Sequence, residues 1–147
     1  MNDNINFRSF KEGDYETCVE WWKWWWGRTG LNPVQRALLP EDKRCFILEK
    51  NGVPVAAYFL LVFEFRIVAF TTYLVTNPHY KEKDRKKLIR LLVSKVEKEA
   101  EKIGVMQLFT ICMNNHMTNI HKDLDWILMP VKNEGFKYLT NNFIKQK

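Results

Sequence analysis

Apolar and polar positions along this chain change period several times, and each change marks an element. Ile5 to Phe10 alternates, as a half-buried strand does. Gly13-Asp14 offers a helix N-cap with Glu16 in the first turn, so a helix is expected from Tyr15 to Trp26, stopped by Gly27. Asn32-Pro33 places Asn at a cap and Pro at a first helical position, predicting a short helix to Leu38 or Leu39 that ends before Pro40. Arg44 to Lys50 reads as a strand, Asn51-Gly52 as a hairpin turn, Val53 to Phe63 as the returning strand and Ile67 to Thr76 as the next. Between Asp84 and Ile103 a long helix is expected: Ile89, Val93, Val96, Ala100 and Ile103 form one stripe at helical spacing, and Gly104 is a stop signal. Val105 to Cys112 reads as a strand. His116 to about Leu128 reads as a helix with Ile120, Leu124 and Ile127 facing inward. The tail has room for a strand at Phe136 to Leu139 and another at Asn142 to Lys147. The order is β-α-α-β-β-β-α-β-α-β with room for a last strand. It predicts one α/β (α+β) domain over residues 1–147, with a mixed central sheet of about six to seven strands flanked by about four helices.

The apolar run Val53 to Val75 raises the question of a membrane. As a spanning helix it would bury Glu64 and Arg66, at roughly 2.5–3.5 kcal/mol each. Its wealth of Val, Phe, Tyr and Thr fits two strands and a turn better, so no membrane partner is expected. Met1 to Ile5 lacks a basic and an apolar region, so no signal peptide is expected. Cys18, Cys45 and Cys112 are odd in number and far apart, which fits core hydrophobes in a reducing, cytoplasmic setting. His79, His116 and His121 share no ligand spacing with each other or with a Cys, so no metal is expected.

The chemistry concentrates between Tyr73 and Gly104. A strand turns through Asn77-Pro78-His79-Tyr80 into a helix start, where unpaired amides and the helix dipole favour an anion. Lys81, Lys83, Arg85, Lys86, Lys87 and Arg90 add positive charge to a chain of net charge +6. A phosphate-bearing ligand is the first expectation. Against it, no glycine lies between Tyr80 and Ile103, and Glu82 and Asp84 stand among the basic residues, with Asp84 expected to cap the helix. No nucleic-acid-reading motif accompanies the charge, so nucleic-acid binding through the basic start of this helix stands only as a minor alternative. Trp21 and Trp25 share one helix face, and Trp22 and Trp26 another, so not all of these rings can enter one core. They line either that core or a surface for a substrate or partner.

This order of elements resembles the GNAT N-acetyltransferase fold. The family's Val-x-Pro-x-Tyr-Arg pattern is approached by Thr76-Asn77-Pro78-His79-Tyr80-Lys81. The long helix, Gly104, the next strand, Asn114 or Asn115, and the pair Gly135-Phe136 follow in family order. Trp21 to Trp26, Leu39-Pro40 and Asn77-Pro78 further resemble small GNAT-like proteins of bacteriophages, which would place the chain in a host cytoplasm. The resemblance implies an acetyl-CoA cofactor, with a small-molecule or protein amine as acceptor. The thioester would lie where the fourth and fifth strands splay apart. On this basis main-chain groups of Leu74, Val75 and Thr76 would receive the pantetheine, helped by Asn114. Lys81, Lys83, Arg85 and Lys86 would hold the phosphates, and Trp21, Trp22, Trp25 and Trp26 would wall the acceptor. The family's glycine loop is replaced here by Lys81-Glu82-Lys83-Asp84-Arg85-Lys86, and Val131 stands where the family has its proton-donating Tyr. Tyr73 and Glu64 remain as candidate acid and base, with Tyr58 and Tyr138 as further donors. The alternative is a GNAT-fold accessory, virion or host-interaction protein without catalysis, meeting a partner or a second copy through the Trp-rich helix.

Overall fold

In a computed structural model that describes residues 2–63, 65, 67–112 and 114–129, the turn at Asn51-Gly52 forms as expected. Both residues take positive φ, 52° and 78°, which a two-residue type I′ hairpin requires. It joins β2 (Cys45–Lys50) to β3 (Val53–Val62). With β1 (Ile5–Ser9), β4 (Val68–Thr76) and β5 (Gln107–Thr110) they form one sheet in the order β1-β2-β3-β4-β5. Every pair is antiparallel except β4–β5, which is parallel. The apolar run Val53 to Val75 is therefore two strands, and no helix among the described residues is long and apolar enough to cross a membrane.

Period-2 alternation splits the sheet's side chains between two cores. Phe46, Leu48, Tyr58, Leu60 and Ala69 face α2 (Arg85–Lys102) and α3 (Asn115–Lys122), where Leu88, Ile89, Leu92, Val93, Val96 and Ile120 meet them. Cys45, Ile47, Ala57, Phe59 and Val75 face α1 (Asp14–Trp26), packed by Cys18, Trp21 and Trp22. Gly104 adopts φ 89° just past α2, and the Asn114 side chain accepts from the Met117 amide to cap α3.

Three expectations are corrected. The short helix after Asn32-Pro33 is absent: Gln35 is extended, and only 3-10 turns form at Arg36–Leu38 and Asp42–Arg44. Leu39, held extended ahead of Pro40, leaves too few residues to propagate a helix. The last helix stops at Lys122, with Asp125 at φ 66°, so Ile127 is 90% exposed instead of facing inward. Among the described residues there are thus five strands and three α-helices, fewer than the six to seven and four expected. The tail strands expected at Phe136 to Leu139 and Asn142 to Lys147 lie outside the described residues.

Two polar clusters lock the layers. Arg8 on β1 bonds both carboxylate oxygens of Asp14 at 2.6 and 3.1 Å and reaches Glu49 on β2 at 2.6 Å, so one guanidinium joins β1, β2 and the start of α1. Asp14 also takes the Lys11 amide. Burial pushes the Asp14 carboxyl up, but Arg8 and that amide outweigh it and hold the group below the usual range. Deeper, Tyr58 Oη lies 2.7 Å from Thr71 Oγ1, 3.1 Å from Thr110 Oγ1 and 2.9 Å from His121 Nε2. His121 Nδ1 sits 2.8 Å from the Met117 carbonyl. A carbonyl only accepts, so Nδ1 carries the proton and the Nε2 lone pair faces the Tyr58 hydroxyl, whose single proton points to Thr71 Oγ1. Burial lowers the His121 pKa against the weaker pull of the Met117 carbonyl and Glu97, and burial also pushes Tyr58 up.

Arg8→Met should cost about 2–4 kcal/mol in urea unfolding, because it strands two carboxylates at a largely buried site. Asp14 and Glu49 are both held below their unfolded values, so their stabilisation is present above about pH 4 and is lost in acid. That acid dependence should flatten in Arg8→Met. The folded His121 pKa lies below its unfolded value of 6.5, so stability should be full above that pH and decline as pH falls through it. In His121→Gln the unfolding midpoint should start lower and change less between about pH 7 and about pH 5. An unchanged slope would remove His121 as the cause.

Candidate functional site: the β4–β5 splay and the start of α2

Parallel pairing of β4 with β5 runs from Val68–Gln107 to Thr71–Thr110 and then stops, while β4 continues to Thr76. From Thr72 onward no strand among the described residues pairs with the β5-facing edge of β4, and β5 itself ends at Thr110. The pairing ends at the Tyr58–Thr71–Thr110–His121 cluster, where Thr110 Oγ1 also donates to the Thr71 carbonyl at 2.9 Å. Within the open part, the β3–β4 register shifts by one residue between Ala57–Val75 and Phe59–Thr72. Tyr73 takes φ 56° in that bulge, an uncommon conformation for a residue with a Cβ. Its ring lies on the α1 side, 6.4 Å from that of Phe59.

The open edge leads through Asn77-Pro78-His79-Tyr80 to the start of α2. Asn77 fixes this turn: its amide bonds the Val55 carbonyl, its Nδ2 the Pro54 carbonyl, and its Oδ1 accepts from the His79 amide. Asp84 stands at the cap position of α2, yet its side chain does not cap the helix, contrary to expectation. One oxygen takes Lys50 Nζ at 2.6 Å and the other the Tyr80 hydroxyl at 2.8 Å. Lys50, followed by Tyr80, holds the Asp84 carboxyl below its ordinary range, while burial and Asp84 push the Tyr80 hydroxyl up to about 12. The charge of Asp84 is thus met by Lys50, and the first-turn amides of α2 are left without a side-chain cap. Among the described residues, Lys81, Lys83, Lys86 and Lys87 are exposed and carry no ion pair, and Glu82 is equally exposed.

A second junction closes the end of the open edge. The Asn77 amide points to β3, so across the same trans peptide the Thr76 carbonyl points the other way, into the splay. There it accepts from Trp25 Nε1 at 2.8 Å. Arg85 donates to Thr76 Oγ1 at 2.6 Å and lies over the Trp25 ring, 5.4 Å from its centroid. Leu74 is half-buried in the α2 core and Val75 is buried in the α1 core.

Of the four tryptophans considered as a wall, Trp21 and Trp22 are buried in the α1 core and Trp26 stacks on Trp22. Trp25, 40% exposed, is the one that reaches the splay, and Trp24 packs edge-on against it. The Asn114 side chain caps α3, and Glu64 lies outside the described residues. The structure therefore brings Thr76, Arg85 and Trp25 together beside Lys81, Lys83 and Lys86. Sequence reasoning missed the Trp25–Thr76 bond, which spans 51 residues and has no local signal. The four-residue spacing of Tyr80 and Asp84 could have suggested their contact. Among the described residues, no group of three or more His, Cys, Asp or Glu comes together to hold a metal ion.

No family profile and no curated protein matches the chain. Solved structures do. An N-acetylglutamate synthase from Neisseria gonorrhoeae, complexed with coenzyme A and N-acetyl-glutamate, superposes with a TM-score of 0.65 at 18% identity. The match covers 81% of this chain but only 28% of that one, so the chain spans little more than a quarter of that protein. An aminoglycoside acetyltransferase from an uncultured soil metagenomic sample gives a TM-score of 0.67 at 8% identity, covering 92% of this chain and 97% of that one. A GCN5-related N-acetyltransferase from Ralstonia eutropha gives 0.65 at 14%, covering 93% and 100%. These likenesses establish the fold, which is that of the GNAT N-acetyltransferases.

Proposed function

We propose that this chain binds an acyl-CoA in the β4–β5 splay and transfers its acetyl group to an amine. The observation that carries this reading is the continuity of the open β4 edge, Thr72 to Thr76, with an α2 N-terminus whose amides Asp84 leaves uncapped. That arrangement fits an extended ligand ending in phosphates. Backbone groups along the edge suit amides, while helix amides and cations suit a pyrophosphate. Lys81, Lys83 and Lys86, exposed and without an ion pair among the described residues, stand in for the missing glycine cradle, and Lys50 keeps the Asp84 charge from opposing the ligand. Bound acetyl-CoA would supply an activated thioester carbon: the amine forms the C–N bond as the C–S bond breaks, and the amine's proton leaves to water or a base. The chain's own contribution is to align and screen. General acid–base help typically adds about 10²–10⁴-fold, so direct attack can run with little help, Tyr73 and Glu64 remaining the candidate acid and base.

A second reading has its own observation. Trp24 is 55% and Trp25 40% exposed, and Trp25 already occupies the Thr76 carbonyl, which suits a GNAT fold reused for a protein partner without catalysis.

Isothermal titration separates the two readings. Acetyl-CoA and CoA should bind at micromolar concentrations, more weakly at high salt. Lys81→Ala with Lys83→Ala should lower affinity at least about tenfold, as expected for losing charge-assisted phosphate contacts. No binding at millimolar ligand would favour the non-catalytic reading.

A further inference from the structure

Arg85 is half-buried, yet among the described residues no carboxylate pairs with it. A guanidinium offers five donors. This one places a donor on a neutral hydroxyl, Thr76 Oγ1, and its face on the Trp25 ring. Burial alone pulls its pKa below the usual arginine value, as befits a cation without an anionic neighbour. Trp25, in turn, is fastened to β4 through the carbonyl of that same Thr76. One residue at the end of the open edge therefore ties the last turn of α1 to the first turn of α2.

We propose that the Trp25–Thr76–Arg85 junction is a latch across the end of the cofactor site, which CoA must open, so that its binding frees Trp25. The inference rests on the acyl-CoA reading above and adds to it a contact within the chain that competes with the ligand. A phosphate at the start of α2 competes for Arg85 with a neutral hydroxyl and a ring face. Charge-assisted bonds are roughly twice as strong as neutral ones, so the phosphate wins the guanidinium. Trp25 then keeps only its bond to the Thr76 carbonyl. That carbonyl points into the splay, where an amide donor lying along the β4 edge competes for it. Released from both, Trp25 leaves β4, and the end of α1 is no longer fastened to the end of that strand. Linkage is reciprocal: if the cofactor releases Trp25, then weakening the hold on Trp25 must tighten the cofactor. Trp25 is thus a positioning residue that acts through Arg85 and Thr76.

The test uses the full chain, with indole nitrogens labelled for NMR and CoA as the probe. Without ligand, the Trp25 indole N–H should exchange slowly with solvent. Saturating CoA should speed that exchange, while the indole N–H of buried Trp21 stays protected. Trp25→Phe keeps a ring over Arg85 but deletes the bond to Thr76. It should bind CoA roughly five- to tenfold tighter by titration, and Arg85→Met should weaken CoA in both backgrounds. Binding by Trp25→Phe alone would also support the latch, as a junction too tight for CoA to open. If CoA binds both proteins equally and the Trp25 N–H stays protected, the latch is wrong while the acyl-CoA reading stands. If neither protein binds CoA, the acyl-CoA reading fails and the latch falls with it.

Discussion

The Tyr58 hydroxyl sits where the parallel ladder of β4 and β5 ends, and the open edge begins beyond it. It lies within hydrogen-bonding distance of Thr71 on β4, Thr110 on β5 and His121 on α3, so one buried group joins three elements at one point. A polar network in a core is tolerable when its members find partners, and each member here lies within hydrogen-bonding distance of another, down to the Met117 carbonyl that fixes the His121 tautomer. The network holds the strands together as far as Thr71 and Thr110. Beyond it β4 keeps only its pairing with β3 among the described residues, and the β5-facing edge of Thr72 to Thr76 has no described strand on it.

What stands at the far end of that edge is decided by ion pairing. An aspartate at a helix start usually satisfies the helix amides itself. Here Lys50, at the end of β2, draws the Asp84 carboxylate away, and Tyr80 holds its other oxygen. The hairpin at Asn51-Gly52 places Lys50 there, since the turn sets where β2 ends. A local turn signal thus leads to a helix N-terminus without a side-chain cap more than thirty residues further on, where the Arg85 amide meets only the Glu82 carbonyl. The residues that sequence reasoning would place against a phosphate are redistributed. Asp84 is neutralised, Arg85 is engaged by Thr76 and Trp25, and the exposed lysines remain available.

Much of the fold was legible because its signals are local. The wealth of Val, Phe, Tyr and Thr in Val53 to Val75, the stripe on α2, Gly104 at positive φ and Asn114 as a cap each depend on the residue itself or on neighbours a few positions away. The failures have physical reasons of the same kind. Asn32-Pro33 signals a helix start, but Pro40 ends the segment before packing could sustain one. Ile127 fits the period of α3 but lies past Asp125, whose left-handed backbone ends the register. The site was legible as a place, a strand edge leading into a basic helix start. Its wiring was not, because Lys50–Asp84, Trp25–Thr76 and Tyr58–His121 join residues 34, 51 and 63 positions apart.

If the β4 edge beyond Thr71 and the uncapped start of α2 form one ligand site, a crystal structure of the protein grown with CoA shows it most directly. The pantetheine should lie along the Thr72 to Thr76 edge, the pyrophosphate at the first turn of α2, and Lys81, Lys83 or Lys86 against its oxygens. CoA bound elsewhere, or a splay filled by this chain's own side chains at saturating CoA, would contradict it.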